Sequence, residues 1–257
     1  MRVPLVVGNW KMNCTTVEAA ELAAQVRARV PDDAGVEVAL APTFTALAAV
    51  HRALDGSFLL VAAQDMHWAD AGAFTGAVGV LQVREHASLV ILGHSERRLF
   101  FGETNDDVNR KVHAAFDHGL SAVVCVGETG AERDAGATDD VVRRQTAAAT
   151  DGLRPREVAR LVVAYEPVWA IGSGRPCDAT EAARVVAAIR GVLAGRFGAR
   201  EAQKTRLLYG GSVTAANAQE YFAVPDIDGA LVGGAALDAD DFAAIVAAAR
   251  VPPGPDA

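Results

Sequence analysis

The chain has 257 residues, of which 51% are hydrophobic, and its formal net charge is −8. This composition can bury a large core, whereas no apolar run reaches the roughly 18–20 residues of a membrane span. The acidic balance and the absence of long basic runs argue against nucleic-acid binding through phosphate contacts. Three cysteines without a Cys-x-x-Cys pair argue against a disulfide framework and a metal site. The first residues do not resemble a secretory signal, so we expect a cytoplasmic protein.

Short runs of apolar or β-branched residues alternate along the chain with longer amphipathic segments. Eight of these runs are predicted as strands: 3–8, 36–41, 58–64, 89–93, 121–126, 161–166, 206–209 and 229–232. The clearest helical segments between them are 16–30, 104–118, 141–152 and 180–196. The chain therefore repeats a strand–helix unit from one end to the other.

Strands that are apolar on both faces and alternate with helices indicate a parallel sheet covered by helices. Eight such units in about 250 residues predict a single-domain (β/α)8 barrel. We assign the barrel to residues 1–250 and a loose tail to the proline-containing residues 251–257. An open doubly wound sheet is the alternative, but it would need a glycine-rich turn after the first strand. Residues 8–13 read Gly-Asn-Trp-Lys-Met-Asn, which favours the barrel.

Polar side chains stand where several predicted strands end, which is where a barrel builds its active site. The residues concerned are Asn9, Lys11, His94, Ser95, Glu96 and Glu166. One rim would thus carry a cation, an imidazole and a carboxylate. A solvated lysine and a structural histidine are the alternatives for Lys11 and His94.

Glu166 ends an apolar strand and precedes a Pro-Val-Trp segment and the Gly-Ser-Gly sequence 172–174. Burial among apolar groups would raise the pKa of this carboxyl, because it disfavours the charged form. A loop folded over it would exclude water and strengthen the electrostatic interactions inside. The segment predicts a general base beneath a lid, and the alternative is a surface glutamate before a proline-bearing loop.

His94 precedes Ser95, a candidate N-cap for a helix. The positive end of a helix dipole disfavours the imidazolium. We therefore expect a neutral His94 that donates a hydrogen bond to a developing oxyanion. Cys125 is expected to be a small buried residue rather than a nucleophile, since no histidine lies in its segment.

Two glycine-rich loops follow the last two strands: Gly210-Gly211-Ser212 and Gly233-Gly234. Backbone N–H groups approach an anion closely where Cβ is absent, and in many barrels these two loops bind phosphate. We expect a phosphate site here, with a pair of tight turns as the alternative.

Five motifs together resemble the triosephosphate isomerase family, in its order and spacing, over nearly the whole chain. They are 9–11 (Asn-Trp-Lys), 93–98 (Gly-His-Ser-Glu-Arg-Arg), 164–169 (Ala-Tyr-Glu-Pro-Val-Trp), 209–213 (Tyr-Gly-Gly-Ser-Val) and 233–235 (Gly-Gly-Ala). The resemblance implies interconversion of dihydroxyacetone phosphate and D-glyceraldehyde 3-phosphate through an enediol(ate), in glycolysis and gluconeogenesis. It also implies a homodimer that uses no cofactor and no metal.

The resemblance assigns the catalytic roles. Glu166 resembles the base that moves the proton between two substrate carbons, and neutral His94 resembles the electrophile at the carbonyl. Lys11 resembles the cation that stabilises the enediolate and the phosphate, with Asn9 as its hydrogen-bonding neighbour.

The resemblance also assigns supporting residues. Ser95 resembles the residue that holds the base in the open state, and Glu96 one that supports the site from behind. The phosphate donors would be Gly172, Ser212, Gly233 and Gly234. Residues 167–177 resemble the lid, and the loop 72–77, which contains Thr75, resembles the loop that inserts into a partner subunit.

The lid departs from the family pattern at Ser173, Arg175 and Pro176, and Pro176 would stiffen its end. This departure motivates an alternative substrate, a four-carbon ketose phosphate. A barrel that only binds phosphorylated metabolites is a further alternative. It would be expected to lack a catalytic group, yet Asn9 and all three catalytic candidates are present.

Overall fold

The computed structural model describes residues 2–32, 34–172 and 176–250, so the predicted tail 251–257 lies outside the described residues. Eight parallel strands close into a barrel in which each strand pairs with the next and the last with the first. They are β1 (Leu5–Asn9), β2 (Glu37–Ala41), β3 (Leu60–Ala63), β4 (Leu89–Leu92), β5 (Ser121–Val126), β6 (Leu161–Tyr165), β7 (Arg206–Tyr209) and β8 (Gly229–Val232). The predicted (β/α)8 barrel is confirmed.

Helices cover the outside of the barrel. In the described residues they are α1 (Thr16–Arg29), α2 (Leu47–Ala53), α3 (Val80–Val83), α4 (Ser95–Phe101), α5 (Asn105–Asp117), α6 (Gly130–Asp134), α7 (Thr138–Ala149), α8 (Ala179–Phe197), α9 (Ala199–Ala202), α10 (Ala218–Phe222) and α11 (Ala239–Ala248). Short 3-10 helices span Phe44–Ala46, Pro155–Arg160, Val168–Ala170 and Gly234–Leu237. In this part of the chain, no helix combines the length and apolar character of a membrane span.

The predicted elements are all present, and the differences lie at their ends. The first strand begins at Leu5 rather than at residue 3, because Pro4 has no N–H to give to a neighbouring strand. The helix predicted at 141–152 occupies Thr138–Ala149 instead, three residues earlier.

The core has two layers because successive strand residues point to opposite faces. Inward-facing side chains fill the barrel, among them Leu5, Ile91 and Leu231, while their neighbours pack beneath the helices. Cys125 lies inside the barrel and is 1% exposed, which confirms it as a small buried residue. Burial raises the pKa of its thiol well above the ordinary value, so it stays protonated.

A charged network closes the amino-terminal end of the barrel, opposite the polar rim. Arg2 Nε lies 2.7 Å from an Asp228 oxygen, and Arg2 Nη2 lies 2.8 Å from Asp226. Arg190 Nη2 is 3.0 Å from the same Asp226 oxygen. The network ties the residues before β1 to those before β8, so it reinforces the seam where the barrel closes.

Gly229 stands at this seam with a φ of +135°, and a Cβ there would lie 1.9 Å from the carbonyl oxygen of Leu5. We expect Gly229→Ala to lower the free energy of unfolding by at least about 3 kcal/mol, through backbone strain and displacement of β1. Urea denaturation would measure the loss. Gly191→Ala is the matched control, because a Cβ at this position in α8 meets nothing within 4 Å and alanine favours a helix by about 1 kcal/mol. Equal stability of Gly229→Ala and wild type would contradict this account of the seam.

Candidate active site

A cavity of about 260 Å³ opens at the carboxyl ends of the strands. Most of the predicted site residues line it: Asn9, Lys11, His94, Glu166, Gly172, Ser212, Gly233 and Gly234. Ser95 and Glu96 contact these residues from the start of α4. Thr75 does not line the cavity and lies on an exposed loop. The structure thus brings the predicted catalytic and phosphate groups together.

Glu166 is 2% exposed and its carboxylate is held from two directions. One oxygen lies 2.9 Å from His94 Nε2, and the other accepts the Ser95 N–H at 2.9 Å. Two glycines make this position possible. A Cβ on Gly210 would lie 2.9 Å from Glu166 Cγ, and one on Gly127 would lie 1.6 Å from the Glu166 carbonyl oxygen.

The predicted direction of the Glu166 pKa is wrong for this arrangement. Burial alone raises the pKa of Glu166, as expected. The charge and hydrogen bond of His94, the N–H of Ser95 and the charge of Lys11 outweigh burial and bring the pKa below its ordinary value. The sequence shows the apolar strand before Glu166, but not the two donors that reach it from the residues after β4 or the charge of Lys11 after β1.

His94, rather than Ser95, caps α4, so the predicted N-cap is wrong by one residue. Gly93 turns the chain at a φ of +71°, and His94 Nδ1 then accepts the N–H of Glu96 at 3.2 Å. In the neutral ring this bond leaves the proton on Nε2. The N–H of Nε2 therefore points at Glu166 and into the cavity.

The neutral state predicted for His94 is opposed by the nearby carboxylate. Burial lowers the pKa of His94, but the charge and hydrogen bond of Glu166 more than offset it, so the pKa lies above its ordinary value. His94 does stand at the N-terminus of α4, where the helix dipole disfavours the imidazolium. This effect is outweighed because a carboxylate lies 2.9 Å away.

Lys11 has a left-handed backbone, with a φ of +52°, and such strain needs support from its surroundings. Asn9 Oδ1 accepts the Lys11 N–H at 3.0 Å, and Gln64 Nε2 donates to the Lys11 carbonyl at 2.8 Å. Lys11 Nζ lies 2.5 Å from a Glu96 oxygen. We did not assign Gln64 to the site, although its position directly after β3 indicates that it lies at the rim.

Three buried charged residues and the partly exposed Arg97 form a cluster near His94, and sequence reasoning missed it. Lys111 Nζ contacts both Asp65, at 2.6 Å, and Glu103, while Arg97 Nη2 lies 2.8 Å from Asp65. Glu103 also accepts the N–H of Gly93 at 3.1 Å. The cluster therefore holds the Leu92–Gly93 peptide, one peptide before the one that joins Gly93 to His94. Burial raises the pKa of Asp65, although Lys111 opposes this shift.

The opposite side of the cavity is built from backbone. Gly233 and Gly234 lead into the 3-10 helix Gly234–Leu237, and the first N–H groups of a helix have no partners within it. Such groups bind anions. Gly172 faces the same cavity with a φ of +66°, and Asn217 Nδ2 fixes the Ser212 carbonyl at 3.1 Å.

The 167–177 loop is anchored at both ends by residues that sequence reasoning did not assign. At its start, Trp169 Nε1 donates to Glu128 at 2.7 Å, and Arg133 lies 3.6 Å from the Trp169 ring centroid. At its end, the Cys177 N–H donates to the Tyr209 hydroxyl at 3.3 Å. Of the unusual loop residues, Ser173 and Arg175 lie outside the described residues.

Within residues 2–32, 34–172 and 176–250, no three His, Cys, Asp or Glu side chains are placed to share a metal ion. The polar groups of the cavity are instead arranged around organic acid–base chemistry: a carboxylate, an imidazole, an ammonium group and backbone N–H donors.

The sequence was compared with known proteins. The family model described as triosephosphate isomerase matches residues 4–249. The triosephosphate isomerase of Symbiobacterium thermophilum is 51% identical over 250 residues, covering 97% of this chain and 98% of that protein. Those of Chlorobium luteolum and Prosthecochloris aestuarii are each 48% identical, covering 96% and 97% of this chain and 99% of each relative. These matches give no support to the four-carbon alternative. With the barrel and its rim of catalytic groups, they establish that the chain belongs to the triosephosphate isomerase family.

Proposed function

We propose that this chain interconverts dihydroxyacetone phosphate and D-glyceraldehyde 3-phosphate, as an enzyme of glycolysis and gluconeogenesis in the cytoplasm. One observation carries the assignment. A buried carboxylate and an imidazole N–H meet at 2.9 Å on one wall of a cavity whose other wall is glycine backbone. A base, an electrophile and a phosphate cradle are the parts that this isomerisation needs.

The reaction moves one proton between neighbouring carbons. Glu166 removes a proton from the carbon beside the carbonyl, and negative charge develops on the carbonyl oxygen. The N–H of His94 Nε2 and the ammonium group of Lys11 stabilise that oxygen. Glu166 then returns the proton to the former carbonyl carbon, while the hydroxyl proton on the neighbouring oxygen passes through His94 Nε2 to the former carbonyl oxygen. Atoms balance without an oxidant or reductant, because the substrate and the product are isomers.

Substrate binding would change the pKa values of both Glu166 and His94, because it would break the contact between them. In the structure Glu166 contacts His94 and accepts the Ser95 N–H. When the carboxylate turns to the substrate carbon, it loses these donors, and burial then raises its pKa and its basicity. His94 simultaneously loses its nearer counter-charge, while Glu96 remains 3.7 Å from Nδ1. Burial, the charge of Lys11 and the N–H at Nδ1 then favour the neutral ring against the charge of Glu96.

The phosphate group would bind at the N–H groups of Gly172, Ser212, Gly233 and Gly234, with Lys11 between it and the reacting atoms. A Cβ on Gly233 would lie 3.4 Å from Lys11 Cε, so the lysine passes close to this backbone. An enediolate exposed to water would eliminate its phosphate, so the 167–177 loop would protect it by excluding solvent.

We also propose a homodimer. Leu99, Phe100 and Phe101 are 67–71% exposed on α4, and Phe74 is 47% exposed beside Thr75. Exposed apolar clusters of this kind mark interaction surfaces, and a two-fold dimer is the commonest assembly. The loop 72–77 would supply Thr75 to the contact.

Replacing Glu166 by Asp would draw the carboxylate back by about one methylene group. We expect kcat for glyceraldehyde 3-phosphate to fall at least about 100-fold, with KM little changed, because a misplacement of about 1 Å costs this much. A coupled assay would measure both constants. Glu201→Asp, the same change at a surface residue paired with Lys204, is the control. Unchanged turnover would remove Glu166 from the role of base, and an inactive wild type would favour a binding-only barrel.

The pKa of His94 should depend on Glu166. In the empty wild-type protein we expect an NMR titration midpoint for His94 above the ordinary histidine value, since the adjacent carboxylate favours the imidazolium. In Glu166→Gln the midpoint should shift downward, because burial remains while the negative charge is gone. Glu201→Gln, the same change at a residue paired with Lys204, is the control and should leave the His94 midpoint unchanged. A midpoint for His94 that is unaffected by Glu166→Gln would contradict the pairing.

The proposed interface can be tested at Thr75. Sedimentation equilibrium should give twice the chain mass for the wild type. Thr75→Arg should raise the dissociation constant at least about tenfold, because it buries an unpaired charge. Thr180→Arg, at an exposed position in the first turn of α8, should leave the dimer intact. A monomeric wild type at tens of micromolar would reject the dimer.

A further inference from the structure

Two stacked tyrosines hold the peptide groups on both sides of Cys177. The Cys177 N–H donates to the Tyr209 hydroxyl at 3.3 Å, and the Tyr221 hydroxyl donates to the Cys177 carbonyl oxygen at 2.5 Å. The two rings lie 4.0 Å apart and within 15° of parallel. All three residues are at most 2% exposed. We call these three residues the tyrosine clamp.

The tyrosine clamp is joined to the phosphate side of the cavity. Tyr209 is the last residue of β7, and Gly210, Gly211 and Ser212 follow it directly. A Cβ on Gly211 would lie 2.2 Å from the Tyr209 hydroxyl. The phosphate-side backbone is therefore packed against the clamp with no room for a side chain between them. A shift of the Tyr209 hydroxyl would therefore displace the backbone of Gly211.

The tyrosine clamp also fixes the end of the 167–177 loop. Cys177 is five residues after Gly172, which lines the cavity, and two residues before α8 begins at Ala179. Asp178 caps that helix by accepting the Thr180 N–H at 2.8 Å. The chain thus passes from the loop into a capped helix within one residue of Cys177. The orientation of the Cys177 peptide groups therefore fixes the direction in which the chain passes from the loop into α8.

Within this arrangement the Tyr221 hydroxyl has two contacts: it donates to the Cys177 carbonyl and is hydrogen-bonded to the Tyr209 hydroxyl. Its ring completes the stack on Tyr209, which phenylalanine could do equally well. The hydroxyl adds a donor to the buried Cys177 carbonyl, and a buried carbonyl deprived of its donor is costly. Tyr221 itself does not line the cavity.

We propose that Tyr221 is a positioning residue for the phosphorylated substrate. Through the Cys177 carbonyl it fixes the last residue of the 167–177 loop, and through its stack on Tyr209 it holds the Gly211 backbone on the phosphate side of the cavity. The inference rests on the proposed function, since it takes the ligand to be a sugar phosphate. It adds a residue that acts from α10, outside the cavity.

Tyr221→Phe removes the hydroxyl and keeps the ring. We expect the dissociation constant of inorganic phosphate, measured by calorimetry, and the KM of glyceraldehyde 3-phosphate to rise between about two- and tenfold, with kcat changed less, as loss of one hydrogen bond implies. Exchange of the Cys177 amide hydrogen should quicken by a similar factor. Ile227→Val is the control, because it trims a buried side chain at the amino-terminal end of the barrel and should change neither constant.

A double-mutant cycle with Tyr209→Phe separates positioning from packing. If both hydroxyls act on Cys177, the two substitutions should be non-additive in phosphate affinity. Additive effects, or a Tyr221→Phe protein that matches Ile227→Val in both constants, would overturn the inference. Phosphate affinity and amide exchange need no turnover. A wild type that fails to isomerise triose phosphate would therefore count against the proposed function and leave the clamp to be judged on these two readouts.

Discussion

Because all eight strands run in the same direction and close on themselves, their carboxyl ends form one ring. Asn9 is paired in register with Ala41, and Tyr165 with both Val126 and Tyr209. Residues that follow these positions therefore emerge side by side, however far apart they are in the chain. Chemistry at the rim depends on this closure, since each strand delivers only one or two polar groups.

Glycines leave the space that Glu166 and Tyr209 need at the site. The carboxylate of Glu166 reaches His94 because Gly127 and Gly210 leave room for its backbone and its Cγ. Gly211 similarly makes room for the Tyr209 hydroxyl. A glycine-rich loop is usually interpreted as a phosphate-binding loop. Gly210 and Gly211, however, are also required to leave space for the side chains of Glu166 and Tyr209. The positions of the base and of the phosphate-side backbone are thus set by the same short segment after β7.

The fold and the membership of the site could be predicted because both are encoded locally. Apolar runs mark strands, and a polar residue directly after a run marks the rim, which is how Lys11, His94 and Glu166 were found. The electrostatic state could not be predicted in this way. The pKa of Glu166 is set by His94 and the Ser95 N–H, some 70 residues away in sequence, and no local pattern contains that contact.

The same reasoning explains which supporting residues were missed. Glu128, Glu103 and Tyr221 each form a hydrogen bond with a residue of another segment. Their partners are Trp169, Gly93 and Cys177, respectively. A carboxylate in a loop or a tyrosine in a helix looks ordinary until its partner is known. Local sequence identifies the groups that face the substrate, whereas the contacts that orient those groups need the three-dimensional structure.

The seam between β1 and β8 has a consequence for how the protein is made. β1 is synthesised before the other strands of the barrel, and its second edge has its partner only when β8 is added. Arg2 likewise finds Asp226 and Asp228 more than 220 positions later. Contacts of such high sequence separation form slowly, and an unpaired strand edge invites association with other chains. The growing polypeptide therefore carries an unpaired β1 edge until β8 has been synthesised. Pairing of β8 with β1 then removes the edge at which other chains could associate.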